Sequence, residues 1–375
     1  MKILAISHSA VIERYQQKFE FLANRFGHEI VLVIPQTWEE GGRQIVRGKN
    51  RRVGSLQVQT LPCFLRPRLR RHFYLGLARL ARRFQPDLIY AEEEPQAEVT
   101  RQAAEIARKL KTIFVFFTWE NIPQTYIGRK RKIEVLAYQQ AAGAIVGNQD
   151  GTLILKKNGY AKPVAVIPQY GVDPGFFRPE NVADLRETLK LTGNFVIGYV
   201  GRLLPEKNIS ALLRAATNLP DNVSVVLIGN GPERATLENL SQKLRLNQRV
   251  KFISAIKYEE MPRYFNLLEV LVLPSISTAK WKEQFGRVLI EAMACGVPVI
   301  GSDTGEIPNV VGATGLIFSA GRIDQLTDQL TRIFHEPSLR QKLSRLGRER
   351  VLSLYSNQKI AEQMDSFFNK LKERP

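Results

Sequence analysis

Two glutamates, Glu283 and Glu291, lie eight positions apart in the stretch EQFGRVLIEAMACG. Glu283 comes just before a pattern of apolar residues that predicts a helix from residue 286 to Gly296. Because the start of a helix offers unpaired N–H groups and a positive dipole end, this position favours an anion such as a diphosphate. Glu291 lies about two helical turns further on, where a buried carboxylate needs hydrogen-bond donors to offset its desolvation. A ribose diol would supply such donors, and a structural arginine is the alternative.

Two further loops carry groups that suit a phosphate ligand. In 198-GYVGRLLPEKN-208, Gly201 ends an apolar run and is followed closely by Arg202 and Lys207. Glycine lets the backbone approach a ligand, arginine offers a planar fork of donors, and lysine offers a point charge. The second loop, 228-IGNGPER-234, contains a Gly-x-Gly-Pro turn. Taken alone, each is equally well explained as an ordinary surface loop or a turn that redirects the chain.

Short apolar runs alternate with amphipathic helical patterns along almost the whole chain, which is typical of parallel βαβ units with helices on both faces. Strands are predicted at 2–7, 29–35, 87–92, 112–117, 143–148 and 164–168 in the first half, and at 194–201, 223–229, 250–254, 269–275 and 297–303 in the second. Helical patterns cover 11–26, 69–84, 96–110, 129–142 and nearly everything after 321. Ligands of such sheets bind beyond the carboxyl ends of the strands, where the loops above lie.

Composition limits the class of protein. The 375 residues exceed one ordinary core, so we expect two doubly wound α/β domains, joined near the Pro- and Gly-rich segment 168–180. Cys63 and Cys295 are too few for a disulfide framework, which favours a reducing compartment. The first residues read as a strand rather than a signal peptide, and no apolar run approaches the roughly 20 residues that span a bilayer. We therefore expect a soluble, cytoplasmic protein.

The charge is strongly basic. The formal net charge is +18, and residues 1–175 hold 27 Lys and Arg against 15 Asp and Glu, which gives +12 for that half. Much of the excess lies in 66–84 and 129-RKRK-132, and the former mixes arginines with Phe73, Tyr74 and leucines. A solvated surface would explain this composition, as would nucleic acid, for which no binding signature is present. We favour a peripheral contact with an anionic membrane at its cytoplasmic face, through an amphipathic helix.

The stretch 274-PSISTAKWKEQFGRVLIEAMACGVPVIGSDTGEIPNVV-311 closely resembles the donor-site signature of glycosyltransferase family 4. That signature reads Pro-Ser, a Glu, Phe-Gly, a second Glu after seven intervening residues, and then Ala-Met-Ala-x-Gly-x-Pro-Val-Ile. The segments 200-VGRLLPEKN-208 and 228-IGNGP-232 match further motifs of the family in order and spacing. In the linker, 168-PQYGVD-173 stands where the family usually has Pro-Asn-Gly-Val-Asp. The resemblance is specific over about residues 164–318.

The resemblance implies an α/β protein of GT-B fold, in which two doubly wound Rossmann-like domains face each other across a cleft. Residues 1–170 plus 356–375 would form the acceptor-side domain, because the closing helix of the family returns to the first domain. Residues 171–355 would form the domain that binds the nucleotide sugar. The family is retaining and needs no metal, and this chain has no Asp-x-Asp motif, so we expect no cofactor beyond a UDP- or GDP-type donor.

Carried over to matching positions, the resemblance also implies roles for single residues. Arg202 and Lys207 would hold the donor diphosphate and stabilise the charge on the leaving nucleotide. Glu291 would bind the ribose hydroxyls, and Glu283 would contact the donor sugar and help to stabilise the transition state. The donor-binding set is completed by the backbone at Gly201, Phe285, Gly286 and Arg287.

The first half departs from the family pattern. The family has a glycine pair after the first strand, where this chain has His8 between two serines, and a histidine after a later strand, where this chain has 118-TWENIPQTY-126. Glu120 or Asn121 would take over the hydrogen bond of that histidine to the donor sugar, unless the segment is only an acceptor-side loop. His8 is a candidate for the acceptor side. Glu92, in the acidic run after another predicted strand, is a candidate acceptor contact or base.

The sequence thus predicts a hexosyltransferase-type enzyme that transfers a sugar from a nucleoside-diphosphate sugar to a glycan or lipid-linked acceptor, in cell-surface polysaccharide or glycolipid synthesis. Two alternatives stay open. A nucleotide-sugar epimerase of the same architecture would convert the donor without an acceptor. A non-catalytic nucleotide-sugar-binding module would keep the donor site and lack turnover, which the missing histidine would permit. We expect no nucleic-acid partner.

Overall fold

Short runs of Ile, Val, Leu and Phe form the strands of two separate parallel sheets, one in each half of the chain. The computed structural model describes residues 1–40, 44–65 and 70–373. The described residues fall into one unit made of Met1–Gly171 with Asn357–Pro375, and a second unit made of Val172–Ser356.

The first unit contains twelve strands among its described residues: β1 (Lys2–Ile6), β2 (Glu29–Pro35), β3 (Thr37–Glu40), β4 (Gln44–Arg47), β5 (Arg51–Val53), β6 (Leu56–Leu61), β7 (Cys63–Phe64), β8 (Phe73–Tyr74), β9 (Leu88–Ala91), β10 (Ile113–Thr118), β11 (Gly143–Val146) and β12 (Val164–Val166). Eight of them form one sheet in the order β12-β11-β10-β9-β1-β2-β6-β5, which is parallel except for the edge pair β5–β6. The pairs β3–β4 and β7–β8 are separate antiparallel ribbons.

Helices cover both faces of this sheet. They are α1 (Gln17–Asn24), α2 (Leu77–Phe84), α3 (Glu98–Leu110), α4 (Gly128–Gln140), α5 (Gln149–Lys157) and, from the end of the chain, α14 (Asn357–Lys372). Phe19 of α1 and Phe368 of α14 are buried in one core, whereas Leu77, Ala103 and Ala137 belong to the core on the opposite face. Strands buried on both faces are uniformly apolar, which is why the sequence of this sheet shows runs rather than alternation.

The second unit has one sheet of six parallel strands in the order β15-β14-β13-β16-β17-β18. The strands are β13 (Phe195–Val200), β14 (Val223–Ile228), β15 (Val250–Ile253), β16 (Val270–Leu273), β17 (Val299–Ser302) and β18 (Leu316–Phe318). The helices are α6 (Ala183–Thr188), α7 (Ile209–Ala216), α8 (Arg234–Lys243), α9 (Met261–Asn266), α10 (Arg287–Ala294), α11 (Ile307–Val311), α12 (Ile323–His335) and α13 (Pro337–Arg350). The strand order reverses between β13 and β16, so a crevice is expected where their carboxyl ends diverge.

The predicted doubly wound architecture is confirmed, and every predicted strand is present. The prediction is wrong between residues 37 and 76, where the ribbons and the edge strands were missed, as was β18 in the second unit. The helix predicted over 69–84 is only α2, because Phe73 and Tyr74 pair with β7 and Gly76 then precedes the helix with a φ of +82°. Residues 66–69 of the basic segment lie outside the described residues.

The amphipathic helix that suggested a membrane contact is therefore short, and its apolar side is part of the core. Leu77 and Ala81 of α2 are fully buried, while Arg82 and Arg83 are exposed. In the part of the chain that the structure describes, no helix is long and apolar enough to cross a membrane. Cys63 and Cys295 are both buried free thiols.

Candidate functional site

The predicted donor-side residues follow neighbouring strands of the second unit. Gly201 and Arg202 follow β13, the Gly-x-Gly turn follows β14, and the loop with Glu283 follows β16. Because β13 and β16 flank the point where the strand order reverses, their loops share the crevice position at which open α/β sheets bind ligands. The parallel sheet thus brings together residues that lie far apart in sequence.

Lys207 and Glu283 form the central contact of this site. Lys207 Nζ lies 2.5 Å from Glu283 Oε2, and Ser275 Oγ donates to the same oxygen at 3.1 Å. Only 8% of the Glu283 surface is exposed. The ammonium also lies 4.8 Å from the centre of the Trp281 ring, close enough for a cation–π contact. A lysine held in this way offers a fixed positive charge beside a carboxylate of fixed orientation.

The Gly-x-Gly turn supports the loop that carries Arg202. A Cβ on Gly229 would lie 1.9 Å from Gly201 O, and one on Gly231 would lie 2.1 Å from Leu203 O, so only glycine fits at either position. Leu203 N donates to Asn230 O at 2.9 Å. The turn therefore fixes the backbone at 201–203, and the exposed Arg202 side chain makes no ion pair with any residue that the structure describes.

Helix α10 begins next to this pair. Gly286, at φ +80°, is its N-cap, and a side chain there would be strained. Arg287 Nε donates to Glu291 Oε1 at 2.7 Å, one turn along the helix. Glu291 is only 8% exposed. Arg287 is therefore the structural arginine that we considered as the alternative partner for this buried carboxylate. Phe285, predicted among the donor-binding residues, is itself buried.

Sequence reasoning missed Ser275, Trp281 and the loop after β17. A Cβ on Gly305 would lie 2.1 Å from Glu283 O, and Glu306 N donates to the same carbonyl at 3.2 Å. The loop thereby fixes the backbone of Glu283. The sequence feature that could have indicated this loop is its position directly after β17, the strand next to β16 in the sheet.

In the first unit, Glu92 is part of a buried structural network. Ser7 Oγ donates to Glu92 Oε2 at 2.7 Å, and Lys18 Nζ contacts Oε1. Glu92 is 2% exposed. Both oxygens are engaged within the protein, which favours a structural role for Glu92 over the predicted contact with an acceptor.

His8 is paired with Glu93, which sequence reasoning did not select. His8 Nδ1 lies 2.6 Å from Glu93 Oε1, and His72 Nε2 lies 3.5 Å from the same oxygen. Burial alone would raise the pKa of Glu93, but attraction by the two histidines lowers it to about 2. Burial alone would lower the pKa of His8, but Glu93 outweighs it and raises this pKa. The potential ligand atoms of these three residues lie within 4.8 Å of one another, a spacing that could hold a metal ion.

Glu120 lies in the loop after β10 and is almost buried. Burial raises its pKa to about 7, even though Tyr126 OH donates to Oε1 at 2.7 Å and favours the ionised form. Gln96 Nε2 in turn donates to Tyr126 OH at 2.9 Å. Asn121 beside it is 8% exposed. A carboxyl group that titrates near neutral pH is suited to exchange a proton with a ligand.

Two family models match the chain, one in each unit. Residues 14–169 match the model of the glycosyl transferase 4-like domain, and residues 182–350 match the model of glycosyl transferases group 1. Each unit is therefore similar to a glycosyltransferase domain over most of its length. The second match contains all of the predicted donor-side residues, and the first contains Glu92, Glu120 and Asn121 but not His8.

Relatives and solved structures fit the same assignment. The chain is 33% identical over 184 residues to the capsular polysaccharide biosynthesis glycosyltransferase CapM of Staphylococcus aureus. This match covers 48% of this chain and 47% of CapM. The chain thus spans about half the length of the curated relatives that it matches. Sucrose-phosphate synthase of Thermosynechococcus elongatus shares the fold with a TM-score of 0.73, 23% identity and 99% of each chain covered. HepE of Anabaena, in complex with UDP, has a TM-score of 0.74 at 19% identity, over 99% of this chain and 100% of that one. The likeness to these structures shows that the chain has a GT-B fold.

Proposed function

We propose that the protein is a retaining, metal-independent glycosyltransferase that transfers a hexose from a UDP- or GDP-sugar to a glycan or lipid-linked acceptor in cell-surface polysaccharide or glycolipid synthesis. The second unit binds the donor, and the first unit binds the acceptor. The names of two similar proteins support the proposal: CapM acts in capsular polysaccharide biosynthesis, and HepE has been solved with UDP and with UDP-glucose.

The Lys207–Glu283 contact carries this proposal. Departure of a nucleoside diphosphate leaves negative charge on the phosphate that breaks from the sugar, and a cation already fixed nearby stabilises this charge without reorganisation. Lys207 supplies that cation, and Arg202 supplies a second one on a loop braced by the Gly-x-Gly turn. Glu283 orients Lys207 and offers a carboxylate to the donor sugar.

The start of α10 completes the donor site. The first turn of α10, at Arg287 and the following residues, suits the phosphate oxygens because the positive end of a helix dipole favours an anion. Arg287 keeps Glu291 oriented, and the carboxylate oxygens retain acceptor capacity for the ribose hydroxyls, because one bond to arginine occupies only part of it.

In the first unit, Glu120 and Asn121 contact the donor sugar or the acceptor, and His8 lies on the acceptor side. Glu120 changes charge near neutral pH and is the group best suited to exchange a proton with a hydroxyl. The excess of basic residues in residues 1–175 favours an anionic acceptor or an anionic membrane surface.

The first test is a thermal-shift panel with UDP, GDP, ADP and their sugar conjugates, each with and without EDTA. We expect one nucleotide series to raise the melting temperature by mass action, with no effect of EDTA. Lys207→Met should lose the shift, whereas Lys243→Met, at an exposed lysine of the same unit, should keep it. No shift with any nucleotide, or loss of the shift in EDTA, contradicts the proposed metal-free donor site.

Nuclear magnetic resonance spectra of the bound donor separate the remaining functions. We expect the donor to stay unchanged without an acceptor and to lose its sugar, with retained anomeric configuration, when a suitable glycan or lipid-linked sugar is added. Conversion of the donor into a second nucleotide sugar would identify an epimerase. Binding without turnover across an acceptor library would identify a non-catalytic module.

A further inference from the structure

A groove of about 410 Å³ lies within the first unit, between the N-terminal ends of α3 and α4. Its described lining includes five cationic side chains, those of Arg70, Arg71, Arg101, Arg129 and Lys130, and a single carboxylate, Glu98. This lining therefore carries a formal charge of +4 (five positive and one negative side chains).

The one carboxylate does not neutralise the groove. Glu98 accepts from Arg101 Nε at 2.8 Å and also contacts Arg129. Arg101 has a second partner, Glu105, at 2.6 Å. The other three cations form no ion pair with any residue that the structure describes: Arg70, Arg71 and Lys130. Arg70 and Lys130 lie over the Tyr126 ring, 5.6 and 6.0 Å from its centroid, a contact that leaves their charge in place.

Two helix ends add to this potential. Both α3 and α4 are 13 residues long, and their first turns border the groove. The first turn of α4 contains Arg129 and Lys130 and no acidic residue, which is the reverse of the charge that a helix N-terminus favours. An anion in the groove would interact favourably with the cationic side chains and with the positive ends of the two helix dipoles.

Gln96 provides an independent sign of a ligand. It lines the groove and is 1% exposed. Its Nε2 donates to Tyr126 OH, but its buried Oε1 has no hydrogen-bond partner among the described residues. A buried acceptor without a partner is costly, so a ligand that brings a hydroxyl donor would satisfy it. Tyr126 connects Gln96 to Glu120, the carboxyl group with the pKa near 7.

Apolar residues complete the lining. Leu65, Phe73 and Ile133 lie among the cations, and the Phe64 ring stacks on Phe73 with centroids 5.8 Å apart. Leu65 and Phe64 are 52% and 48% exposed. A lipid-linked phosphate has a hydrocarbon chain next to a phosphate group. The apolar residues of this groove can contact the hydrocarbon, and its cationic residues can bind the phosphate.

We propose that this groove binds the acceptor through a phosphate ester that is linked to a lipid, with an acceptor hydroxyl directed to Gln96. The cations hold the phosphate, and the apolar side chains hold the adjoining hydrocarbon. Gln96 and Tyr126 connect the hydroxyl with Glu120. This inference rests on the proposed function, since it names the class of acceptor that the first unit takes.

The test compares two double variants of the full chain that lose the same charge. Arg71→Ser/Lys130→Ser changes the groove, and Arg82→Ser/Arg83→Ser changes exposed arginines of α2 in the same unit. The probes are sn-glycerol 3-phosphate, measured by calorimetry, and phosphatidylcholine vesicles with and without phosphatidylglycerol, measured by co-sedimentation. We expect the groove variant to bind phosphatidylglycerol vesicles at least about tenfold more weakly than the wild type, and the control variant to stay within about twofold.

The outcomes distinguish a lipid-linked phosphate from a soluble phosphate ester as the ligand of the groove. Groove-dependent binding of the anionic vesicles supports the proposal, whether or not free glycerol phosphate binds detectably. Groove-dependent binding of glycerol phosphate alone, with vesicles unaffected, overturns the lipid linkage and leaves a soluble phosphate ester. Equal weakening in both variants, or no binding by the wild type, overturns the site. The nucleotide thermal shift is measured on the same samples, so a failure of the donor site is seen separately from a failure of the groove.

Discussion

Lys207 and Glu283 are 76 positions apart in sequence, yet Lys207 Nζ lies 2.5 Å from Glu283 Oε2. The contact joins the loops after β13 and β16, on the two sides of the point where the strand order reverses. Both side chains are largely shielded, at 15% and 11% exposure. Because a shielded charge is stabilised by its partner, replacement of either residue removes that stabilisation from the other.

Glu283→Ala should lower turnover far more than it lowers donor affinity. The variant removes the carboxylate that we place at the donor sugar, while Arg202 and the first turn of α10 still hold the phosphates. We expect kcat to fall about 10²–10³-fold and the donor Kd to change by less than about threefold. Glu187→Ala, at an exposed glutamate of α6, is the control and should behave as the wild type.

Wild-type kinetics in Glu283→Ala would remove this residue from the site. Equal losses in affinity and turnover would instead show that it only supports Lys207. Steady-state kinetics combined with calorimetry of the unreactive nucleotide separate these results.

Glu291→Ala should mainly weaken nucleotide binding, by about 1–2 kcal/mol, because it removes the acceptor for the ribose hydroxyls. Arg287→Met should instead lower the free energy of unfolding by about 1–3 kcal/mol, since it leaves the nearly buried Glu291 without the Nε–H donor. Calorimetry with the nucleotide and urea denaturation measure the two quantities. If Glu291→Ala binds the nucleotide as tightly as the wild type, this carboxylate serves only the helix.

Part of the arrangement of the proposed donor-side residues could be predicted from sequence because it is local. Glu283, Gly286 and Glu291 lie in one strand–loop–helix segment, and the parallel sheet places the loop after β13 at the same edge. What the sequence could not show is the contact between Lys207 and Glu283, since it depends on strand order. The sequence also could not show why positions 229 and 231 require glycine, because that requirement comes from the close approach of another loop's backbone in the folded protein.

The strands and side-chain contacts of the first unit were harder to predict from sequence, for a different reason. Its missed ribbons, β3–β4 and β7–β8, are two to four residues long, too short for an alternating pattern to stand out. His72 lies within the segment 69–84 that we predicted as a helix, so its pairing with Glu93 could not be foreseen. The acidic run after β9 was recognised, but its three carboxylates face different partners, and sequence does not reveal the direction of a side chain.

Gly229→Ala tests whether the Gly-x-Gly turn positions the loop that carries Arg202. The new Cβ would lie 1.9 Å from Gly201 O, so the backbone of one loop must move. Gly193→Ala is a matched control, because Gly193 also has a positive φ, of +78°, but no atom within 4 Å of a new Cβ. We expect the control to lose about 1–2 kcal/mol of unfolding free energy from backbone strain alone.

Gly229→Ala should lose clearly more stability than the control, and it should also weaken nucleotide binding, which the control should leave unchanged. Urea denaturation and the nucleotide thermal shift provide the two measurements. Similar behaviour of the two variants would mean that the turn does not brace the phosphate loop.

Glu120 makes the stability of the first unit depend on pH. Burial raises its pKa from 4.5 to about 7, and Glu94, Glu134 and Arg70 also act on it. Between these two values the native state binds more protons at Glu120 than the unfolded state does, so unfolding free energy should fall as the pH rises from about 4.5 to 7 and then level off.

Glu120→Gln removes this titration and keeps a similar side-chain shape. Urea denaturation of both proteins from pH 5 to 8 should therefore show the variant gaining stability relative to the wild type as the pH increases, because titratable groups that do not interact with Glu120 cancel in the difference. A difference that stays constant with pH would mean that Glu120 is ionised throughout this range and has no proton to exchange near neutrality.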